Sequence, residues 1–286
     1  MIARILLSVL LVFAGVLAFG SAAYQEEVDE EVVEPTFYAP STASSLLDGV
    51  VAYVVFSPAD GEVLYEYNAD TTLPIASITK LFAAMAIQDL LTLDESTTLE
   101  WSDLNAVGTA GQLQYGQEYT YRELLFPLLL SSSNNAALTF ERRVRHRDQS
   151  LPEVMEELAI NSGASNVQFA DASGLSSGNQ ASARELARLI TQTREDYPYI
   201  YDITRLESFL GPYLGWGNNS PYIADDAYRG GKHGYTSAAG RTAVALFSET
   251  VDDREIELGY IILGSTDLSR DMDTLRDSVQ SLVEWR

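Results

Sequence analysis

Leu73-Pro74-Ile75-Ala76-Ser77-Ile78-Thr79-Lys80-Leu81 sets a hydroxyl and an amine three residues apart at the mouth of an apolar stretch. That stretch runs on to Leu91. Ile78, Leu81, Phe82, Ala84, Met85, Ile87, Leu90 and Leu91 cover nearly every face, so the pattern predicts a buried central helix from about Ser77 to Leu91. Residues at i and i+3 share a helix face, which brings Ser77 and Lys80 within touching distance. A serine near a helix N-terminus also lies in a field that favours developing negative charge. Serine needs a base to become a nucleophile, and the two histidines, His146 and His233, are remote in sequence. An unprotonated Lys80 serves if burial and a second cation draw its pKa from about 10 toward neutrality.

The composition sharpens that reading. Of 18 basic residues sixteen are arginine, and the two lysines are Lys80 and Lys232. Lysine differs from arginine in being able to lose its proton when crowded or desolvated, so the two exceptions point to amine chemistry. Against 41 acidic residues the net charge is −23, which repels a phosphate backbone and excludes nucleic-acid binding. Cysteine is absent, which excludes disulfides, thiolate metal sites and a cysteine nucleophile. With two histidines so far apart, no histidine-built metal site is expected.

Outward from the helix, Val50 to Phe56, the turn Ser57-Pro58-Ala59-Asp60-Gly61 and Glu62 to Tyr67 read as a β-hairpin. Helices are predicted near Tyr121–Leu130, Asn134–Arg145, Leu151–Ser162 and Ala181–Arg194. Strands follow at Gly230–Tyr235, Arg241–Ser248 and Ile256–Gly264, and an amphipathic helix from about Leu268 to Trp285 closes the chain. Strands at both ends with helices between predict an α+β fold: one sheet completed by the two chain ends, with an all-helical middle region.

At the front, Arg4, the apolar run Ile5 to Phe19 and the small residues Ser21-Ala22-Ala23 read as an export signal over residues 1–23, either cleaved or kept as a membrane anchor. Residues 24–43 follow as an acidic linker carrying Glu26, Glu27, Asp29, Glu30, Glu31 and Glu34. The folded domain is expected over 44–286, outside the cytoplasmic membrane.

Two further patterns carry chemistry. Ser131-Ser132-Ser133-Asn134-Asn135 offers a hydroxyl at Ser132 for proton relay and an amide at Asn134, although such a cluster between helices is also an ordinary N-cap. Gly230-Gly231-Lys232-His233-Gly234 resembles a phosphate loop only superficially: Asp226 stands where its first glycine belongs and His233 replaces the Ser/Thr. As an edge strand, its glycine permits close backbone approach and an N–H can face an oxyanion.

Together, Ser77-x-x-Lys80, Ser132-x-Asn134 and Lys232-His233-Gly234 resemble the S-x-x-K, S-x-N and K-[TS]-G motifs of the penicillin-recognising serine enzymes. The nucleophile segment, Phe169-Ala170-Asp171-Ala172-Ser173-Gly174-Leu175 with Asn179 and Ala183-Arg184-Glu185-Leu186-Ala187, and Gly231 to Thr236 with Ala239-Gly240 are similar to the low-molecular-mass penicillin-binding proteins of the D-alanyl-D-alanine carboxypeptidase/endopeptidase family. The resemblance spans about Ser44 to Trp285 and implies a β-lactamase/transpeptidase-like fold with an antiparallel sheet and helices on its faces. It implies a serine D,D-peptidase cleaving the D-Ala-D-Ala bond of peptidoglycan stem peptides, without cofactor, and acylated by β-lactam antibiotics. Ser77 would be the nucleophile, Lys80 the base and Ser132 the proton shuttle. Asn134, Lys232, His233, Gly234, Tyr235 and Thr236 would bind substrate, with the Ser77 and Tyr235 N–H groups as oxyanion hole. Such an enzyme works in the periplasmic or other extracytoplasmic wall space.

One position departs from the pattern. His233 stands where the family has a Thr or Ser that binds the substrate carboxylate. A histidine donates a hydrogen bond, more strongly when charged, or obstructs the pocket. Arg241, nine residues after Lys232, is a candidate for part of the carboxylate role. Cleavage of cross-links by a D,D-endopeptidase stays open. A class A-like β-lactamase rests on Glu157-Leu158-Ala159-Ile160-Asn161, which falls inside a predicted helix. A non-catalytic wall-binding homologue rests on His233 alone.

Overall fold

A computed structural model describes residues 47–108, 110–251 and 254–280 of the chain. The export signal, the acidic linker, the start of the domain at Ser44 and the predicted helix end at 281–285 lie outside the described residues. Among the described residues no helix is long and apolar enough to cross a membrane.

In chain order the elements are β1 (Ala52–Phe56), β2 (Val63–Tyr67), β3 (Leu73–Pro74), α1 (Thr79–Leu90), β4 (Ser96–Thr98), β5 (Glu118–Thr120), α2 (Tyr121–Leu129), α3 (Asn134–Arg145) and α4 (Leu151–Asn161). They continue with β6 (Gln180–Ala181), α5 (Ala183–Thr193), α6 (Pro198–Arg205), β7 (Ser208–Leu210), β8 (Gly215–Gly217), β9 (Tyr228–Thr236), β10 (Gly240–Val251), β11 (Arg254–Ser265) and α7 (Leu268–Gln280). The main sheet runs β2-β1-β11-β10-β9, every recorded pairing antiparallel. The first hairpin therefore pairs with the last strand, as expected from strands at both chain ends. The helical middle also carries three short two-stranded pairs, β3-β6, β4-β5 and β7-β8, and α6, which the periodicity did not announce.

Strand alternation places one apolar set on each face. Ala52, Val54, Phe56, Val244, Leu246, Ile261 and Leu263 pack against the helical middle, while Tyr53, Val55, Ala243, Ala245, Tyr260 and Ile262 pack with Leu268, Met272, Leu275 and Val279 of α7. A one-residue slip would exchange the two sets, so burial on both faces fixes the register.

The central helix is as buried as its sequence requires. Every residue from Thr79 to Ile87 is buried, and each large apolar side chain hidden in this way contributes about 1.5–3 kcal/mol. The Ser77 turn, however, is not α-helical. Ala76–Ile78 form a 3-10 turn leading into α1, and Ala76 has φ 49. A left-handed alanine is strained and persists only where neighbours hold it.

Those neighbours are two glycines. A Cβ on Gly174 would lie 2.0 Å from the Ala76 carbonyl oxygen, and one on Gly234 would lie 2.4 Å from the Ser77 nitrogen. Both segments are thus pressed onto the backbone of Ala76 and Ser77, where any side chain would force them away. Thr242 of β10 adds a hydrogen bond from its hydroxyl to the Ile75 carbonyl at 2.9 Å.

Candidate active site

Lys80 is 0% exposed and its Nζ reaches three oxygens: Ser77 Oγ at 2.9 Å, Asn134 Oδ1 at 2.7 Å and the Ser173 carbonyl. The Asn134 amide is oriented by its other end, whose Nδ2 donates to the Val107 carbonyl at 2.7 Å. Two of the three partners are therefore obligate acceptors, and only Ser77 also carries a proton. A neutral amine has two N–H donors and one lone pair. It satisfies this surround by donating to Asn134 and Ser173 and accepting from Ser77, which is the arrangement of a base beside its nucleophile.

Electrostatics favour that neutral form. Burial, and next the charge of Lys232, push the Lys80 pKa well below its ordinary 10.5, with Asp171 opposing. Burial also lowers Lys232 to about 7. Lys232 is 3% exposed, and the hydrogen-bond acceptor that the described residues offer its Nζ is the His233 carbonyl at 2.9 Å. A buried ammonium so thinly served is a natural receptor for an incoming carboxylate.

The second motif divides its labour. Ser133 takes the N-cap role: its hydroxyl accepts from the Ala136 N–H at 3.2 Å. Ser132 is left with φ 58 and a half-buried side chain that makes no hydrogen bond with another described residue. Capping therefore explains Ser133 and leaves Ser132 strained and unengaged.

The third motif alternates across the sheet. Lys232 lies opposite Val244 and Gly234 opposite Thr242, on the face of the central helix, whereas His233 lies opposite Ala243 and Tyr235 opposite Arg241, on the α7 face. His233 and Arg241 line a cavity of about 500 Å3 together with Asn219, Pro221 and the 266–269 turn. Burial, then the charges of Lys232 and Arg241, drive the His233 pKa down to about 3, so the imidazole is neutral and donates a single N–H. Arg241 is exposed, holds its guanidinium 5.6 Å from the centre of the Tyr235 ring and has no carboxylate in ion-pair distance among the described residues. The Thr236 hydroxyl accepts from the Ala239 N–H at 3.1 Å, closing the β9-β10 hairpin, so its contact is to the turn.

Sequence reasoning assigned no role to the residues that hold the third partner of Lys80. Asp171 gathers the Ser173 N–H (2.8 Å), Ser173 hydroxyl (2.9 Å), Gly174 N–H (2.6 Å) and Ser176 N–H (2.7 Å), and Asn179 Oδ1 accepts from Ala170 and Asp171. Burial alone would raise the Asp171 pKa, but these donors hold it below the usual value. From α3, Glu141 accepts from the Ala172 N–H at 2.6 Å. The knot aims the Ser173 carbonyl at Lys80. Its signal was present as an Asp-x-Ser-Gly turn pattern.

Residues outside the three motifs take structural places. Trp216 is buried and donates to the Gly111 carbonyl at 2.8 Å. The basic run at the end of α3 is divided: Arg145, His146 and Arg147 are exposed, while Arg142 pairs with Asp103 and Glu100 and Arg143 donates to the Tyr121 hydroxyl. Glu157 is exposed in the middle of α4, which removes the support for a β-lactamase glutamate loop. Among the described residues no group of three or more acidic or histidine side chains is placed to hold a metal ion.

Similarity to known proteins points to one family. The chain is 31% identical over 194 residues to a D-alanyl-D-alanine endopeptidase of Pseudomonas aeruginosa, covering 64% of this chain and 62% of the relative. It is 28% identical over 214 residues to a D-alanyl-D-alanine carboxypeptidase of Mycobacterium tuberculosis, covering 72% and 73%. The chain thus spans about three fifths of the length of the endopeptidases it matches. Among solved structures, a D-alanyl-D-alanine carboxypeptidase from M. tuberculosis superposes with TM-score 0.72 at 24% identity, over 84% of this chain and 94% of that one. The cefotaxime-bound penicillin-binding protein D2 of Listeria monocytogenes gives TM-score 0.70 at 23% identity, over 87% and 100%. These show the transpeptidase-like fold. With a family model matching residues 48–266, the chain belongs to the D-alanyl-D-alanine carboxypeptidase family.

Proposed function

We propose that the chain is a serine D,D-peptidase that cleaves the D-Ala-D-Ala bond of peptidoglycan stem peptides through an acyl-enzyme on Ser77. The observation that carries this reading is Lys80: fully buried, 2.9 Å from Ser77 Oγ and otherwise facing acceptors. Lys80 Nζ takes the Ser77 proton as Oγ bonds to the carbonyl carbon of the penultimate D-alanine. The resulting oxyanion is met by the Ser77 and Tyr235 N–H groups, where Gly234 lets β9 lie against the nucleophile turn. Collapse breaks the C–N bond, and the proton returns from Lys80 through Ser132 to the leaving amine. Water then adds to the ester with Lys80 again as base, releasing the shortened stem and free Ser77. Lys232 and Arg241 attract the substrate carboxylate, and Asn134, while holding Lys80, flanks the substrate backbone. The site works outside the cytoplasmic membrane after export directed by residues 1–23, whether cleaved or retained as an anchor.

A second reading, cleavage of cross-links, is favoured by the similarity to proteins named D-alanyl-D-alanine endopeptidase. Intact-protein mass after incubation with benzylpenicillin, beside a Ser77→Ala control, tests the common chemistry. A lasting adduct on the wild type alone is expected; no adduct with the penicillin unconsumed overturns it. Digestion of a pentapeptide beside a cross-linked dimer then separates the two substrates.

A further inference from the structure

Trp101 and Tyr115 are stacked on one another at the surface, ring centroids 4.5 Å apart and planes within 10°, yet they are 66% and 56% exposed. Val107, in the same segment, is 76% exposed. Stacked rings left in water are unusual, because the same side chains buried would contribute several kcal/mol together.

The mount beneath them is rigid. Trp101 opens a short 3-10 turn closed by a reciprocal capping box between Glu100 and Asp103. Arg142 clamps both carboxylates, Asp103 at 2.7 Å and Glu100 at 2.8 Å, and reaches the Thr98 carbonyl at 3.2 Å. The clamp also offsets one of the two carboxylate charges beside the ring and fixes both acids in place. A rigid, exposed aromatic surface fits a ligand with a C–H face and uncharged polar edges, which is the chemistry of an N-acetylated sugar ring.

The platform is tied to the candidate active site through one segment. Six residues after Trp101, the Val107 carbonyl receives the Asn134 amide that also holds Lys80. Six residues span at most about 20 Å, and a stem peptide of about five residues spans up to about 17 Å. A glycan at the far end of a stem whose terminus lies at Ser77 is within the same reach.

We infer that the Trp101–Tyr115 pair is a subsite for the N-acetylhexosamine strand from which the stem peptide hangs, so that glycan-linked stems bind more tightly than free peptides. The inference rests on the stem-peptide reading above, but its binding test needs no turnover. Calorimetric titration of the full chain with an N-acetylglucosamine tetramer should show binding that Trp101→Ala weakens at least tenfold, and Tyr115→Ala less. Benzylpenicillin acylation and thermal unfolding should be unchanged in both variants. With turnover, Trp101→Ala should raise KM for a disaccharide-pentapeptide about fivefold, leaving its kcat and the KM for free pentapeptide as they are. Absence of tetramer binding to the wild type, equal binding by wild type and Trp101→Ala, or a KM that rises for both substrates overturns the subsite. Concentration-dependent pairing of wild-type chains that Trp101→Ala abolishes overturns it too, and assigns the patch to a second copy. Loss of the penicillin adduct with tetramer binding intact would instead strike the peptidase reading.

Discussion

Arg142 and Lys80 are two inward-facing cations of the same helical region, and their surroundings are opposite. The Arg142 side chain is 11% exposed and meets Asp103, itself 1% exposed, in a bidentate pair, with Glu100 beside it. Its hydrogen bonds to the Asp103 carboxylate lead the causes that raise its pKa. Lys80 is 0% exposed and its hydrogen-bond partners are a hydroxyl, an amide oxygen and a carbonyl. Its pKa falls. Burial penalises both charges; the chain answers with counter-charge at one site and with proton loss at the other. Arginine suits the first because it never deprotonates, lysine the second because it can.

The largest effect expected from breaking this contrast is at Lys80. Lys80→Arg keeps a cation of similar reach and removes the base, so the rate of acylation by benzylpenicillin should fall about 10³-fold. A rate within tenfold of wild type, read from adduct accumulation by mass, would show that the amine is not the base. Next comes Arg142→Met, which strands the buried Asp103 carboxylate. Breaking such a pair from one side costs about 3–5 kcal/mol, visible as a lower midpoint in a urea titration. Acylation of the folded fraction should be unaltered, since Arg142 touches neither Ser77 nor Lys80.

The contrast also has a pH signature. Lys232 has a folded pKa of about 7 against an ordinary 10.5. Between those values the unfolded chain holds a proton that the folded chain lacks, so this group makes stability rise with pH from about 7 to about 10.5. Lys80, also depressed, acts in the same direction. Acylation should run differently: it falls on the acid side as Lys80 gains its proton, and on the alkaline side above about 7 as Lys232 loses the charge that depresses Lys80 and attracts carboxylate. Urea midpoints and adduct rates across pH 5 to 10, on the order of the range these lysines cover, test both slopes. A stability that is flat above 7 in wild type and in Lys232→Met alike would show that Lys232 is not held neutral.

The parts of this site legible in the sequence were those set by short periods. Ser77 and Lys80 meet because three residues separate them at a helix entrance, and Lys232 and Gly234 share a face because a strand alternates. The sheet from both chain ends followed from the same strand patterns. What stayed hidden depends on contacts between distant segments. Nothing local in Asp171 to Gly174 shows that its carbonyl closes the coordination of Lys80, or that Gly174 presses on Ala76. Ser132 and Ser133 could not be told apart before α3 showed which of them caps it. Nor does the local sequence show that Arg142 turns inward, because its acids, Glu100 and Asp103, lie about forty residues earlier.

His233 sharpens the comparison at its smallest scale. Alternation sends it to the α7 face, where it lines the cavity of about 500 Å3 with Arg241 and does not share a face with Lys232. With a pKa near 3 it is a neutral donor under all working conditions, so the carboxylate attraction at this edge falls to Arg241. A hydrogen bond to a charged partner contributes about 1.5–3 kcal/mol, so Arg241→Ala should raise KM for a stem peptide by about tenfold or more. His233→Thr exchanges one neutral donor for another of smaller volume, and should change KM by about threefold or less with kcat unaltered. The profile of that KM should be flat from pH 5 to 6, on the order of two units above the histidine's own titration and below that of Lys232. A KM for wild type that climbs steadily over that range, and flattens in His233→Thr, would mean that the imidazole is charged in the site, and would return to His233 the role assigned to Arg241.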